Sequence, residues 1–383
     1  MPQRRLWWSF VLWNSAAALS ALFIDAFLWR RTASLPLVVS YQASFFIGML
    51  LAFTVCRVGQ LSRINLPAVS ALILTAAMGW VALFQAVAAR LPVPLGLVTG
   101  IAYGSFYFAF YHALQFAAAT GNHDLLSSRT GLSESVIWLI GPPLAGVWLS
   151  VAGGLGYGAL FAASAVGFAA AALFAPPAPP LFCPLPTTDR PGDARSWRRL
   201  LGGLALVGLR EGALVLLPAL WLFVITGQPW LLGLYGAAVA ASEGLGYLFG
   251  RSLTPSQRRT VLLALSSTLA LAGVVILVCV GAQPWSLIAF GAVQGVASAC
   301  LRSVAESRSL DLIGSRPSGA TFAVSTKEQS LNAGRLAAVG FLFVLVLATR
   351  LTMAIPYLAA FSLIAVPAAL AIREGPAVPR TAP

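Results

Sequence analysis

Residues 28–57, LWRRTASLPLVVSYQASFFIGMLLAFTVCR, decide the fold, because their register returns at 222–251, LFVITGQPWLLGLYGAAVAASEGLGYLFGR. Laid together without a gap, Thr32 meets Thr226, Tyr41 meets Tyr235 and Arg57 meets Arg251, and Leu28, Leu37, Ala43 and Leu51 meet Leu222, Leu231, Ala237 and Leu245. A shared apolar bias aligns leucines and alanines, but it does not place Thr, Tyr and Arg in one register; a duplication does. Each copy is a short turn followed by an apolar run of about twenty residues. As a helix rising 1.5 Å per residue, such a run crosses a hydrocarbon core of roughly 30 Å.

Runs of this kind fill nearly the whole chain. Of its 383 residues, 59% are hydrophobic and 9% charged, against about a quarter charged in soluble domains. Continuous stretches such as Leu342 to Ala348 do not alternate, which excludes a membrane barrel. Spans are predicted at 6–28, 35–56, 66–88, 92–116, 132–152, 155–175, 199–225, 230–250, 260–281, 285–309, 331–349 and 353–372. The expected protein is therefore an all-α membrane protein with about 12 transmembrane helices in two pseudo-symmetric six-helix bundles. The first bundle is expected over 1–175 and the second over 199–383, joined by a proline-rich cytoplasmic linker, 176–198.

The net charge of +13 raises the possibility of nucleic acid, but the basic residues are scattered over short loops with no stripe or aromatic platform. Their sidedness explains them. Arg30, Arg31, Arg90 and Arg350 fall on one face, and the other loops, from Arg4 and Arg5 to Arg373 and Arg380, fall on the opposite face. By the positive-inside rule both termini are cytoplasmic in a bacterial inner membrane. Cys56, Cys183, Cys279 and Cys300 have no paired spacing and read as free thiols.

An even number of spans, duplicated halves and a central linker resemble the major facilitator superfamily. The resemblance covers essentially the whole chain. The family's loop motif after the second span survives as Gly59, Leu61 and Arg63 following Arg57, with Ser62 where the motif carries Asp; its counterpart in the second half is Gly250, Arg251, Arg258 and Arg259. In span five, Gly141, Pro142, Pro143, Leu144, Ala145 and Gly146 resemble the GPxxGG pattern of proton-driven exporters, with Ala145 replacing one glycine. An ordinary proline kink in a packed helix is the alternative reading. The resemblance implies alternating access, a midplane cavity lined by spans one, four, seven and ten, and export of small amphipathic solutes against protons by a monomer.

An ionisable side chain at membrane depth costs roughly 2.5–3.5 kcal/mol, so each one demands a partner, a cavity or a function. Arg210 and Glu211 in span seven and Glu243 in span eight are the foremost candidates, with Arg210 expected to hold one of the two glutamates. A static ion pair fastening the two spans is the structural alternative. Span ten carries Gln294, Ser298, Arg302 and Glu306 at i, i+4 intervals; Gln294, Arg302 and Glu306 are candidates for the substrate and proton pathway, with Arg302 and Glu306 either a gate or a self-contained pair near the cytoplasmic end. Asn14 and Asp25 share a face of span one and are candidates for the substrate and proton pathway; Asp25 is either a proton carrier or, the favoured reading, an interfacial charge beside Arg30 and Arg31. His112 in span four follows Tyr103, Tyr107 and Tyr111, an aromatic strip. Two histidines and few acids argue against both a metal centre and a membrane transferase, and no phosphate loop or other cofactor motif occurs. A lysolipid flippase or a transporter-like receptor is the alternative function.

Overall fold

The computed structural model describes residues 2–58, 64–118, 123–175, 194–252, 255–313, 320–349 and 354–373. They form α1 (Pro2–Thr32), α2 (Leu35–Val58), α3 (Leu66–Leu83), α4 (Gln85–Arg90), α5 (Pro92–Ala118), α6 (His123–Ala152) and α7 (Gly156–Phe174). After the linker come α8 (Ala194–Thr226), α9 (Pro229–Ser252), α10 (Pro255–Val280), α11 (Pro284–Ile313), α12 (Ala320–Thr349), α13 (Ala354–Leu363) and α14 (Ala365–Ile372). Among the described residues, twelve spans are long and apolar enough to cross a bilayer; α4 follows the third after a break at Phe84, and α13 with α14 makes the twelfth. No strand occurs among the described residues. Helices are the expected solution in lipid, where every backbone N–H and C=O must be satisfied within its own segment.

The outer surface is apolar. Leu83, Val151, Leu155 and Leu173 are each more than three-quarters exposed, a distribution that only a hydrocarbon surrounding makes favourable.

The two halves repeat each other in detail. Thr32 Oγ1 donates to the Leu28 carbonyl at 2.7 Å and accepts the Ser34 N–H at 3.2 Å; Thr226 does the same with Leu222 and Gln228 at 2.7 and 3.3 Å. The residue between them is left-handed in both turns, Ala33 at φ 47° and Gly227 at φ 64°. The packing repeats as well. In the first half α2 lies on α5, α3 on α7 and α1 on α6, and in the second α9 lies on α11, α10 on α13 and α14, and α8 on α12. Between the halves α2 meets α12 and α6 meets α9. This is the pairing expected of two similar bundles related by an axis along the membrane normal.

Small residues allow the close approaches. Gly96, Gly100 and Gly104 of α5 press on the α2 backbone from Tyr41 to Ala52, and Gly291 and Gly295 of α11 press on Tyr235, Val239 and Ser242 of α9. Hydroxyls bind neighbouring helices: Ser9 donates to the Ala171 carbonyl at 2.9 Å, and Ser164 to that of Ala16 at 2.8 Å. Between the halves, Ser325 of α12 donates to the Phe53 carbonyl of α2, and Gln329 donates to Thr54, each at 2.8 Å.

Several helix ends differ from expectation by four to eleven residues, two of them with consequences for the linker and the cavity. The segment Ala194 to Arg198, assigned to the linker, is the first turn of α8, while residues 176–193 lie outside the described residues. Helix α12 starts eleven residues before the predicted 331, because Lys327 and Glu328 enter the bundle as buried, paired charges. Cys56, Cys279 and Cys300 are free thiols; Cys183 lies outside the described residues.

Candidate functional site

A cavity of about 450 Å³ lies between the halves, walled by both. From α8 upward its chemistry follows from helix contacts. Gly208 and Gly212 lie against the α12 backbone at Leu331 and Arg335. That approach brings the Arg335 side chain onto Glu211, with Nη2 and Nε at 2.6 and 3.1 Å from Oε2. From α11, Arg302 reaches the other oxygen, with Nη2 and Nε at 2.8 and 3.2 Å from Oε1. One buried carboxylate thus accepts from two guanidinium forks, a geometry in which charge-assisted bonds are strong.

Arg210 does not hold a glutamate. Successive helical residues point about 100° apart, so Arg210 turns to α11 while Glu211 faces the cavity. The Arg210 guanidinium donates to Ser298 Oγ at 2.7 Å and to Gln294 Oε1 at 2.5 Å, and it is fully buried behind the wall. The expected pairing of Arg302 with Glu306 is also corrected. Glu306 binds Lys327 at 2.7 and 2.8 Å, and Lys327 contacts Glu328 at 3.3 Å. The same ammonium lies 4.7 Å from the ring centre of Tyr111, in the other half.

Asp25 is not an interfacial charge. It is 8% exposed, lines the cavity and accepts two bonds from Gln42 Nε2 at 2.8 and 3.0 Å. Arg31 instead donates to Gln85 at 2.5 Å, and Arg30 lies over the Tyr157 ring. Asn14 sits behind the lining, where Oδ1 is 3.2 Å from the Tyr107 hydroxyl, which is in turn 3.5 Å from Glu134 Oε1. His112 is buried beside the Phe108 ring, away from the lining. Glu243 lines the cavity from α9 with Tyr235 and Tyr247, within electrostatic reach of Glu134, Glu211, Arg210 and Arg302.

Sequence reasoning passed over Glu134, Arg335, Lys327 and Glu328. The first two lie inside predicted spans, so the rule that singled out Glu243 also applies to them.

The span-five motif packs at the seam between the halves. Gly141 lies against Ala18 of α1; Pro142 meets Gly233 and Gly236 of α9; Gly146 meets Pro229, Trp230 and Gly233. A Cβ branch at Gly146 has only backbone to push against, so Gly146→Val should cost about 1–3 kcal/mol, read as a lower unfolding temperature in detergent. Gly59 and Arg63 lie outside the described residues, as do the side chains of Arg57, Arg251 and Arg258.

No family model matches the sequence. Over 347 residues the chain is 25% identical to the uncharacterized protein YqgE of Bacillus subtilis (strain 168), covering 86% of this chain and 79% of that one. Among solved structures, the human organic anion transporter MFSD10 (TETRAN) superposes with a TM-score of 0.61 at 16% identity, over 97% of this chain and 100% of that one. A bacterial homologue of the iron transporter ferroportin, in an outward-facing state, gives 0.67 at 15% identity, over 97% and 98%. The fold is of the major facilitator type. At these identities the likeness concerns architecture alone, and the cargo named for either neighbour belongs to that neighbour.

Proposed function

We propose that this chain is a secondary transporter that moves small solutes by alternating access, exporting small amphipathic compounds in exchange for protons. The observation that carries the reading is the cavity itself: a largely apolar chamber set with ionisable side chains, lying between two similar bundles that meet along the α2–α12 and α6–α9 seams. Rocking the bundles about such a chamber exposes it to one side and then the other. Among the described residues the seams contain few side-chain hydrogen bonds and many small residues, so parting them breaks few polar contacts.

Proton exchange is assigned to the cavity carboxylates, with Glu243 foremost. Around it stand Glu134 of α6 in the other half, Glu211 of α8 and Arg302 of α11, with Tyr235 and Tyr247 on its own helix. The expected setting is a bacterial inner membrane, with both termini cytoplasmic and one chain forming the working unit, since one chain completes the cavity.

Spin labels across each end of the two seams, in lipid nanodiscs, test this without a known cargo. Between high and low pH, distances at one end should lengthen as those at the other shorten, and Glu243→Gln should abolish most of that response. A single set of distances under every condition removes the alternating-access reading; a response unchanged in Glu243→Gln removes that residue's role.

A further inference from the structure

Acidic side chains outnumber basic ones on the cavity wall. Six carboxylates line the chamber against three basic side chains. All three bases are committed: Arg302 and Arg335 to Glu211, Lys327 to Glu306 and Glu328. Arg210, behind the wall, offsets at most one charge and is engaged with Gln294 and Ser298. The remainder is negative. Asp25, Glu134 and Glu243 make no ion pair among the described residues, and their neutral contacts are an amide for Asp25 and a phenol for Glu134.

Two of these carboxylates face each other across the joint between the halves. Gly131 of α6 lies under the Tyr247 ring of α9, and Gly244 lies against Ser135. Glu134 and Glu243 immediately precede Ser135 and Gly244 on the two helices, and both line the cavity. Tyr107, Tyr235 and Tyr247 surround them. Aromatic faces attract cations by their quadrupoles, most strongly where water is scarce; the two like charges repel each other, and because Arg302, the base within reach of both, is already bound to Glu211, a cation between them relieves the repulsion that is left.

We propose that the chamber takes an organic cation, its charged group held between Glu134 and Glu243 and its apolar body against Tyr107, Tyr235 and Tyr247. The bound charge links the two halves, because one carboxylate comes from each. A bare divalent metal would require several converging oxygens, and no group of three or more His, Cys, Asp or Glu stands close enough among the described residues. The assignment rests on the transporter reading only in calling the occupant cargo.

The test uses two ions of one shape and opposite charge, tetraphenylphosphonium and tetraphenylborate. Binding is measured on the purified full chain in lipid nanodiscs, with empty discs subtracted. The cation should bind saturably and the anion should not; Glu134→Gln and Glu243→Gln should each weaken the cation by about tenfold or more. Size-exclusion profiles establish that each variant is folded, and if one is not, the wild-type comparison still decides. Stronger binding of the anion, binding of neither ion, or affinities within about twofold of wild type in both folded variants overturns the proposal. The spin-label distances need no cargo, so they can uphold alternating access while this assignment fails.

Discussion

Glu211→Gln should destabilise the folded chain by about 3 kcal/mol, near the low end of the range for breaking a buried ion pair. The wild-type carboxylate is 4% exposed and bridges two guanidinium groups that no other acid contacts as an ion pair among the described residues. Its removal leaves two positive charges side by side in the chamber. The Arg302 side chain is 33% exposed and Arg335 17%, so cavity water screens the first more than the second, and Arg335 carries the larger share of the penalty. Unfolding temperature in one detergent reads the loss. The double variant Glu211→Gln, Arg335→Met should recover part of it, since it deletes the charge left without a partner. A single-variant loss below about 1 kcal/mol would mean that water already solvates the trio.

That trio marks how far the sequence could be read. The spans were legible because lipid demands about twenty apolar residues from every crossing segment, and the duplication was legible because Thr32 and Thr226 keep equivalent jobs in both halves. The buried charges were legible singly: Arg210, Glu211 and Glu243 stand out in apolar surroundings. Their partners were not, because a side chain's neighbour on another helix depends on rotation and crossing, which hydrophobic patterning does not encode. Arg210 and Glu211 are adjacent in the chain and look to different helices. Asp25 was misread for a related reason: Arg30 and Arg31 are near in sequence, while its real partner, Gln42, comes from the next helix. Lys327 and Glu328 were hidden because a hydropathy window ends where charges begin, even when Glu306 awaits Lys327 in the neighbouring helix.

The contacts that make the bundle tight lead to the second large expectation. Gly100→Val should cost about 3 kcal/mol or more, because its Cβ falls on the backbone carbonyl of Phe45 in α2. A flexible side chain could yield, but a helical carbonyl cannot move without carrying its helix, so α5 and α2 must separate and surrender van der Waals contact along the whole Gly96, Gly100, Gly104 face. Within lipid this loss weighs heavily, since chain association there depends on packing more than on exclusion of water. Gly79 of α3 supplies the control: nothing stands within 4 Å of its Cβ position, so Gly79→Ala should be neutral or slightly stabilising, as helical propensity favours alanine by up to about 1 kcal/mol. Gly295, pressed on Val239 in the other half, should respond to valine as Gly100 does. If Gly100→Val and Gly79→Ala unfold at the same temperature, the α2–α5 seam is looser than drawn, and the pseudo-symmetric packing does not set the stability of the bundle.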